Sequence, residues 1–128
     1  MKKEIVFTDK APKAIGPYSQ AVIAGDFMYI SGQIAIDPNT GLFDEKMPIK
    51  EQTLLVMNNI LAILKHKNLS FDHVVKTTIF LADMKDFPTV NEIYASYLHE
   101  GKYPARATVA LALPKNAKVE IEMIVYLK

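Results

Sequence analysis

The chain has 128 residues and no cysteine. Its 15 Lys and Arg residues against 14 Asp and Glu residues give a formal charge of +1. This length predicts one domain over residues 1–128, and the missing cysteines exclude disulfide frameworks, cysteine-based zinc sites and a cysteine nucleophile. The basic residues are scattered, which argues against nucleic-acid binding. The apolar runs are too short for a signal peptide or a membrane span, so we expect a cytoplasmic protein.

The N-terminal third predicts three β-strands. Glu4 to Thr8 forms the first short apolar run, and Ser19 to Ala24 forms the second after a loop rich in proline and glycine. Gly25-Asp26 is typical of a hairpin turn. The third run, Phe27 to Ile36, is almost continuously apolar, which predicts a central strand that is buried on both faces.

The rest of the chain predicts two helices and three more strands. Apolar residues spaced by three or four predict a helix from Ile49 to Asn68, and the same spacing predicts a second from Asp86 to His99. Val74 to Leu81 lies between them and is typical of a strand. Arg106 to Leu113 and Lys118 to Leu127 alternate in polarity, as the last two strands should.

The predicted order is therefore β-β-β-α-β-α-β-β. Helices separated by strands favour an α+β fold, in which a mixed sheet carries two helices on one face. The other sheet face would be left uncovered. We expect copies of the chain to bury that face in a symmetric oligomer.

The strand that begins at Arg106 contains the first candidate binding residue. Arg106, Thr108, Ala110 and Ala112 share one face of this strand, so a charge and a hydroxyl stand beside two small side chains. A guanidinium matches a carboxylate in bidentate geometry. The pattern is equally compatible with an arginine at a strand end that pairs with a surface carboxylate.

Three further positions carry polar groups in unusual places. Glu120 and Glu122 share one face of the last strand, which favours a solvated face over a general acid or base at a subunit boundary. Gly32, beside Ser31, predicts either a strand bulge or a closely approaching ligand. Asn91 lies on the apolar face of the second helix, where we expect it either to cap a loop or to hold a pocket residue or a substrate.

Metal and nucleotide sites are not predicted. The three histidines, His66, His73 and His99, lack the spacing of metal ligands. No glycine-rich loop connects a strand to a helix, and no serine lies in a nucleophile-elbow motif. The sequence therefore predicts neither a metal nor a phosphate-bearing cofactor.

Several segments together resemble the reactive intermediate deaminase family (RidA, YjgF-type). They are Ala14 to Gln20, Ser31 to Ile34, Val75 to Thr78, Val90 to Tyr94, Pro104 to Arg106, Leu113 to Lys115 and Val119 to Glu122. They follow in order and span almost the whole chain. The agreement of several separate motifs makes the resemblance specific.

This resemblance implies a chorismate-mutase-like α+β domain that assembles as a homotrimer around a central barrel, with pockets between subunits. It implies hydrolysis of enamine and imine carboxylates such as 2-aminoacrylate and 2-aminocrotonate to 2-keto acids and ammonia, without a cofactor. Pyridoxal-phosphate dehydratases release these intermediates, so the resemblance implies a functional link to them.

The resemblance also assigns roles to individual residues. Arg106 would bind the substrate carboxylate and Glu120 would position or activate water. Tyr18 would complete the catalytic group. The pocket would also be shaped by Ser31, Gly32 and Asn91. If the last two strands pair, Arg106 and Glu120 face the same side of the sheet.

Two departures from the family pattern concern the strand after Arg106. Thr108, a predicted pocket residue, stands where many relatives carry cysteine, so we expect activity to survive while substrate preference shifts. The segment from Arg106 to Leu113-Pro114 is one residue shorter than usual, which weakens the prediction that Ala110 and Ala112 line the pocket.

Two other functions stay open on the sequence. One is a non-catalytic regulatory trimer that binds a small ligand, because a fold can persist while its site changes. The other is a ribonuclease or translation inhibitor. The presence of both Arg106 and Glu120 favours the enzyme over the first, and the near-neutral charge argues against the second.

Overall fold

A computed structural model describes residues 2–128, which form one six-stranded sheet and two α-helices. The elements are β1 (Glu4–Val6), β2 (Ala21–Ala24), β3 (Phe27–Gln33), α1 (Ile49–His66), β4 (Val74–Leu81), α2 (Phe87–Ser96), β5 (Ala105–Ala110) and β6 (Val119–Tyr126). The predicted α+β class and the element order are confirmed. The third and fifth strands and the second helix end earlier than predicted, by about one turn in the helix.

The strands are arranged in the order β1-β2-β3-β6-β4-β5. Because α2 connects β4 to β5 as a crossover, these two strands run parallel, while every other pair is antiparallel. β6 inserts between β3 and β4. The last two strands therefore do not pair, and the prediction that depended on their pairing was wrong.

Helix α1 covers one sheet face and supplies much of the core. Val56, Met57, Ile60, Ile63 and Leu64 are fully buried, as their spacing along the helix predicts. Each such side chain contributes about 1.5–3 kcal/mol by leaving water, so Ile60→Ala would cost about 2–5 kcal/mol.

The end of α1 is determined by a residue with left-handed backbone geometry. Asn68 has a φ of 58°. The N–H of Leu69 donates to the Leu64 carbonyl, and the N–H of Asn68 donates to the Lys65 carbonyl. This pair of bonds is the Schellman motif, which satisfies the last free carbonyls and turns the chain towards β4.

The other sheet face carries exposed apolar side chains. In β3, Met28 and Ile30 are buried beneath the helices, whereas Phe27 is 36% exposed and Tyr29 is 47% exposed. The prediction that β3 is buried on both faces was therefore wrong for the single chain, because no element of residues 2–128 covers the second face. We call this surface the open face. No helix of the described chain has the length and apolarity needed to cross a membrane.

Candidate active site

Two cavities contain most of the residues that the sequence singled out. The glutamate cavity has a volume of about 540 Å³ and is lined by Tyr18, Ser31, Gly32 and Glu120 among others. The arginine groove has a volume of about 380 Å³ and lies between α2 and the start of β5. Its polar lining includes Asn91 and Arg106.

The floor of the glutamate cavity is an irregularity in β3. The register between β3 and β6 shifts between Ile30 and Gln33, as a bulge at Gly32 requires. The Ser31 hydroxyl donates to the Ser19 carbonyl at 2.5 Å, and the Gln33 side-chain amide donates to the Ser31 carbonyl at 3.1 Å. The bulge with locally satisfied polar groups, one of the two predicted explanations of Gly32, is thus confirmed.

Gly32 also makes room for Glu120, which crosses over it from β6. A Cβ atom built on Gly32 would collide with the Glu120 carboxyl group and lie 2.9 Å from its Cδ atom. This contact is tighter than real side chains make. The absence of a side chain at Gly32 therefore leaves this space to the Glu120 carboxyl group, which would have to shift if the residue carried a Cβ atom.

Glu120 is placed where its carboxyl group holds a proton more tightly than usual. Partial burial raises the pKa of Glu120, and the negative charge of Glu122 on the same strand face raises it further. A raised pKa brings a carboxyl group closer to the range in which it can both accept and return a proton. Glu120 therefore has the electrostatic character of a general acid or base.

Tyr18 stands at the mouth of the glutamate cavity on the loop before β2. Its hydroxyl oxygen accepts a hydrogen bond from the Ile15 N–H at 3.2 Å, and its own N–H donates to the Gly16 carbonyl at 2.8 Å. The side chain is 46% exposed. Because the hydroxyl accepts from the backbone, its proton stays free to donate to a ligand.

The loop that carries Tyr18 is fixed by Gln20, a residue whose role sequence reasoning missed. The Gln20 side chain is buried, and its amide oxygen accepts from the Thr8 N–H at 2.8 Å. Its amide nitrogen donates to the carbonyls of Thr8, Ala11 and Pro12. One side chain thus holds the loop against the sheet. The available signal was a glutamine at the start of an apolar strand.

The pairing of β5 with β4 determines on which sheet face Arg106 lies. Arg106 pairs with Thr77 of β4, and paired residues of neighbouring strands point to the same sheet face. Thr77 is buried on the helix-covered face, so Arg106 lies on that face beside α2. The side-chain oxygen of Asn91 accepts a hydrogen bond from Arg106 Nη1 at 2.6 Å. Of the two predicted uses of Asn91, the structure shows the one in which it holds another polar residue.

Two aromatic rings of α2 also contact Arg106. The Cζ atom of Arg106 lies 5.3 Å from the ring centroid of Phe87 and 5.3 Å from that of Tyr94. The Tyr94 hydroxyl donates to Thr77 Oγ1 at 3.0 Å. The spacing of apolar residues that predicts α2 includes both rings, but it does not predict their contact with the guanidinium.

Within one chain, Arg106 and Glu120 lie on opposite faces of the sheet. Glu120 pairs with Phe80 and Arg106 pairs with Thr77, and positions of β4 that differ by an odd number point in opposite directions. The prediction that the two residues share a face was therefore wrong. The alternative of an arginine paired with a surface carboxylate is also not seen, since no ion pair of Arg106 occurs within residues 2–128.

Thr108 lies on the same face as Arg106 and lines neither cavity. Its hydroxyl oxygen is buried and has no hydrogen-bond partner among the described residues. Such a group costs free energy in the single chain. Ala110 keeps the predicted facing, while Ala112 lies beyond the end of β5.

Two of the three histidines make local contacts. His99 Nδ1 lies 2.8 Å from a carboxylate oxygen of Asp72, and the His73 ring accepts from the Ser70 N–H. Among residues 2–128, no three side chains of the histidine, cysteine, aspartate or glutamate type group as metal ligands would.

Known proteins resemble this chain over nearly all of its length. The family model described as Endoribonuclease L-PSP matches residues 8–127. A RutC family protein of Pyrococcus horikoshii is 52% identical over 97% of this chain and 98% of its own length. A Mus musculus protein named 2-iminobutanoate/2-iminopropanoate deaminase is 47% identical over 95% of this chain and 90% of its own length.

A solved structure agrees with these sequence matches. The crystal structure of RidA from the Antarctic bacterium Psychrobacter superposes with a TM-score of 0.89 at 46% identity, covering 96% of this chain and 98% of the other. The family resemblance that the motifs predicted is thereby confirmed. On its sequence, its fold and these relatives, the chain belongs to the Endoribonuclease L-PSP family, also called the YjgF/RidA family.

Proposed function

We propose that the protein hydrolyses 2-imino and 2-enamine carboxylates, such as 2-iminobutanoate and 2-aminoacrylate, to 2-keto acids and ammonia. The observation that carries the proposal is that the chain supplies both a cation held in place and a carboxyl group of raised pKa, each in its own cavity. Arg106 is held by Asn91 without a carboxylate partner in residues 2–128, and Glu120 has a raised pKa. A relative of 47% identity that is named for this activity supports it.

The proposed site lies between two copies of the chain. Arg106 and Glu120 face opposite sides of the sheet, so one chain cannot bring both to a substrate of a few heavy atoms. The exposed apolar residues of the open face, among them Tyr29 and Tyr126, supply a surface that copies would bury. A homotrimer closed around this face unites the arginine groove of one copy with the glutamate cavity of the next.

In the proposed reaction, Arg106 binds the substrate carboxylate through two parallel N–H donors. This contact fixes the imine carbon relative to a water molecule next to Glu120. The Glu120 carboxylate takes a proton from that water as the water oxygen bonds to the imine carbon. Glu120 then passes this proton to the imine nitrogen, which gives a neutral carbinolamine and leaves Glu120 ionised again. The carbinolamine then gives its hydroxyl proton back through Glu120 to the nitrogen, the carbon–nitrogen bond breaks, and ammonia leaves.

The remaining site residues fit this chemistry through their free hydrogen-bonding capacity. The Ser31 hydroxyl uses its proton on the Ser19 carbonyl, so its lone pairs can accept from the substrate N–H. Tyr18 retains a free hydroxyl proton for the carbinolamine oxygen. Water is the nucleophile and the imine carbon is already electrophilic, so the proposed reaction uses no cofactor. Pyridoxal-phosphate dehydratases would supply the substrate.

The proposal is tested by generating the imine in place. A threonine or serine dehydratase releases the intermediate, and 2-keto acid formation is followed with and without this protein. We expect acceleration by the native protein and none by Arg106→Ala. Lys102→Ala, which removes an exposed cation beside Asp72, is the matched control and should stay active. Equal acceleration by Arg106→Ala, or none by the native protein, would contradict the deaminase.

The shared site has its own test. Light scattering should give three times the chain mass of 14.4 kDa. Arg106→Ala and Glu120→Gln should each be inactive alone, but unfolding and refolding them together should restore about a quarter of the native sites, since heterologous interfaces then pair intact halves. A native monomer, or no recovery in the mixed protein, would argue against a site between copies.

A ribonuclease is the second candidate, because the matching family model is described as Endoribonuclease L-PSP. The formal charge of +1 and the scattered lysines give no basic surface for a phosphate backbone. Incubation with single-stranded RNA separates the two candidates. Cleavage that Arg106→Ala and Glu120→Gln both retain would place a nuclease outside the proposed site.

A regulatory trimer is a separate alternative. It would bind 2-keto acids without accelerating imine hydrolysis.

A further inference from the structure

The contact face of α2 presents two rings and one amide to Arg106. Phe87, Asn91 and Tyr94 are spaced by four and three residues, so they lie on one side of the helix. Residues seven apart are separated by about 10 Å along a helix axis. The Cζ atom of Arg106 lies 5.3 Å from both ring centroids, and Arg106 Nη1 donates to the side-chain oxygen of Asn91 between them in the sequence of the helix.

The Arg106 side chain needs such support because of its position in the sheet. It projects from β5, the strand at the edge of the sheet, and it is exposed. A free arginine side chain samples many rotamers, and it loses that freedom when it binds a ligand. Rings that contact the guanidinium restrict it beforehand. They make no hydrogen bonds that would use up its N–H donors.

The two rings are anchored differently. Tyr94 is buried, and its hydroxyl donates to Thr77, which lies beside Arg106 in the register of β4 and β5. Tyr94 is thus tied to the strand pair that carries the arginine. Phe87 is half-buried at the first turn of α2 and contacts the guanidinium through its ring alone.

We propose that Phe87 and Tyr94 are positioning residues that hold the Arg106 guanidinium ready for a carboxylate, and that they set the affinity of the site for its substrate. This inference rests on the proposed function for the identity of the ligand. It adds two residues that act on the substrate through Arg106.

The sequence offers a direct readout, because Arg106 is the only arginine in the chain. Protein labelled with ¹⁵N-arginine therefore gives a single side-chain Nε–H signal in an NMR spectrum. Rings that contact the guanidinium shift this signal through their ring currents. Its position reports the contact whether or not the protein turns over an imine.

The test compares Phe87→Leu, which removes the ring, with Phe87→Tyr, which keeps it. Phe87→Met replaces Phe87→Leu if circular dichroism shows a lost fold. Tyr97→Phe is the matched control, because the Tyr97 hydroxyl bonds to Asn58 and lies outside the arginine groove. All variants are measured for the arginine signal, for binding of the 2-keto acid product and for imine hydrolysis.

We expect Phe87→Leu to move the arginine signal and to weaken 2-keto acid binding about two- to twelve-fold, the cost of ordering one flexible side chain on binding. KM should rise by a similar factor while kcat changes less, because uniform binding is lost. Phe87→Tyr should keep the native 2-keto acid affinity and the native KM, and Tyr97→Phe should change neither of them.

The proposal is overturned if Phe87→Leu leaves the affinity unchanged, whether or not the signal moves, or if Tyr97→Phe weakens binding equally. Failure of the proposed function gives a different result. In that case the native protein does not accelerate imine hydrolysis, yet Phe87→Leu still weakens binding of the 2-keto acid, and the positioning role stands.

Discussion

The glutamate cavity and the arginine groove hold their charged groups by opposite means. Glu120 lies over a glycine, and burial and a like charge act against its ionised form. Arg106 is held by a hydrogen bond from Nη1 and by two rings, all of which restrict the position of its guanidinium. One half of the proposed site therefore keeps a proton movable, whereas the other keeps a charge in a fixed place.

The largest effect is expected on kcat when residue 120 can no longer accept a proton. Glu120→Gln keeps the shape of the side chain but cannot accept a proton from water. We expect kcat for imine hydrolysis to fall roughly 10²- to 10⁴-fold, the usual contribution of general acid–base catalysis. Binding of the 2-keto acid should change little, because Arg106 makes that contact. An unchanged kcat would remove Glu120 from the mechanism.

Gly32→Ala tests whether space alone places Glu120. The added methyl group collides with the Glu120 carboxyl group, so the side chain or the bulge in β3 must move. We expect a fall in kcat and a loss of less than about 1 kcal/mol in unfolding free energy, because the Glu120 carboxyl group is the free end of a flexible side chain. Urea unfolding and initial rates measure the two effects. In the Glu120→Gln background the further fall in kcat should be small.

A smaller effect is expected on the pH dependence of activity. Glu120 must be ionised to accept a proton, so its raised pKa moves the acidic limb of the rate profile above the ordinary range of glutamate. Glu122→Gln removes one cause of that rise. The limb should move to lower pH by less than about one unit, since the pair is partly solvated. A shift to higher pH would contradict the assigned cause.

The smallest effect concerns stability against pH. Because folding raises the pKa of Glu120, its protonated form favours the folded state, and this contribution is lost as pH rises through the raised pKa. Glu120→Gln cannot ionise. Below the ordinary pKa of glutamate, the variant and the native protein should therefore have the same unfolding free energy. Above the raised pKa of Glu120, the variant should have the larger unfolding free energy. Urea unfolding at about pH 4 and about pH 7.5 checks the sign.

The sequence predicts the elements well because their signals are local. The alternation in β6 and the three-to-four spacing in α1 are readable without knowing what packs where. Gly32 between Ser31 and Gln33 likewise gives a local signal, although it leaves a bulge and a closely approaching ligand open, and the structure contains the bulge. Periodicity within a strand is a property of the strand itself, so it survives any choice of partner.

Pairing and contact across elements are different, because several partners satisfy the same local pattern. The crossover that places β5 beside β4, and so puts Arg106 on the helix-covered face, cannot be read from either strand alone. The same holds for Phe87 and Tyr94, whose spacing predicts an apolar stripe and says nothing of a guanidinium against it. The Gln20 contacts with the loop before β2 also depend on the folded chain.

The placement of Arg106 and Glu120 on opposite sheet faces has a consequence for dilution. If copies must meet to complete the proposed site, a newly made chain holds no working centre, and specific activity depends on protein concentration. Dilution below the dissociation constant of the assembly then inactivates the enzyme without any chemical change. Catalysis would begin only after enough chains have accumulated to find one another.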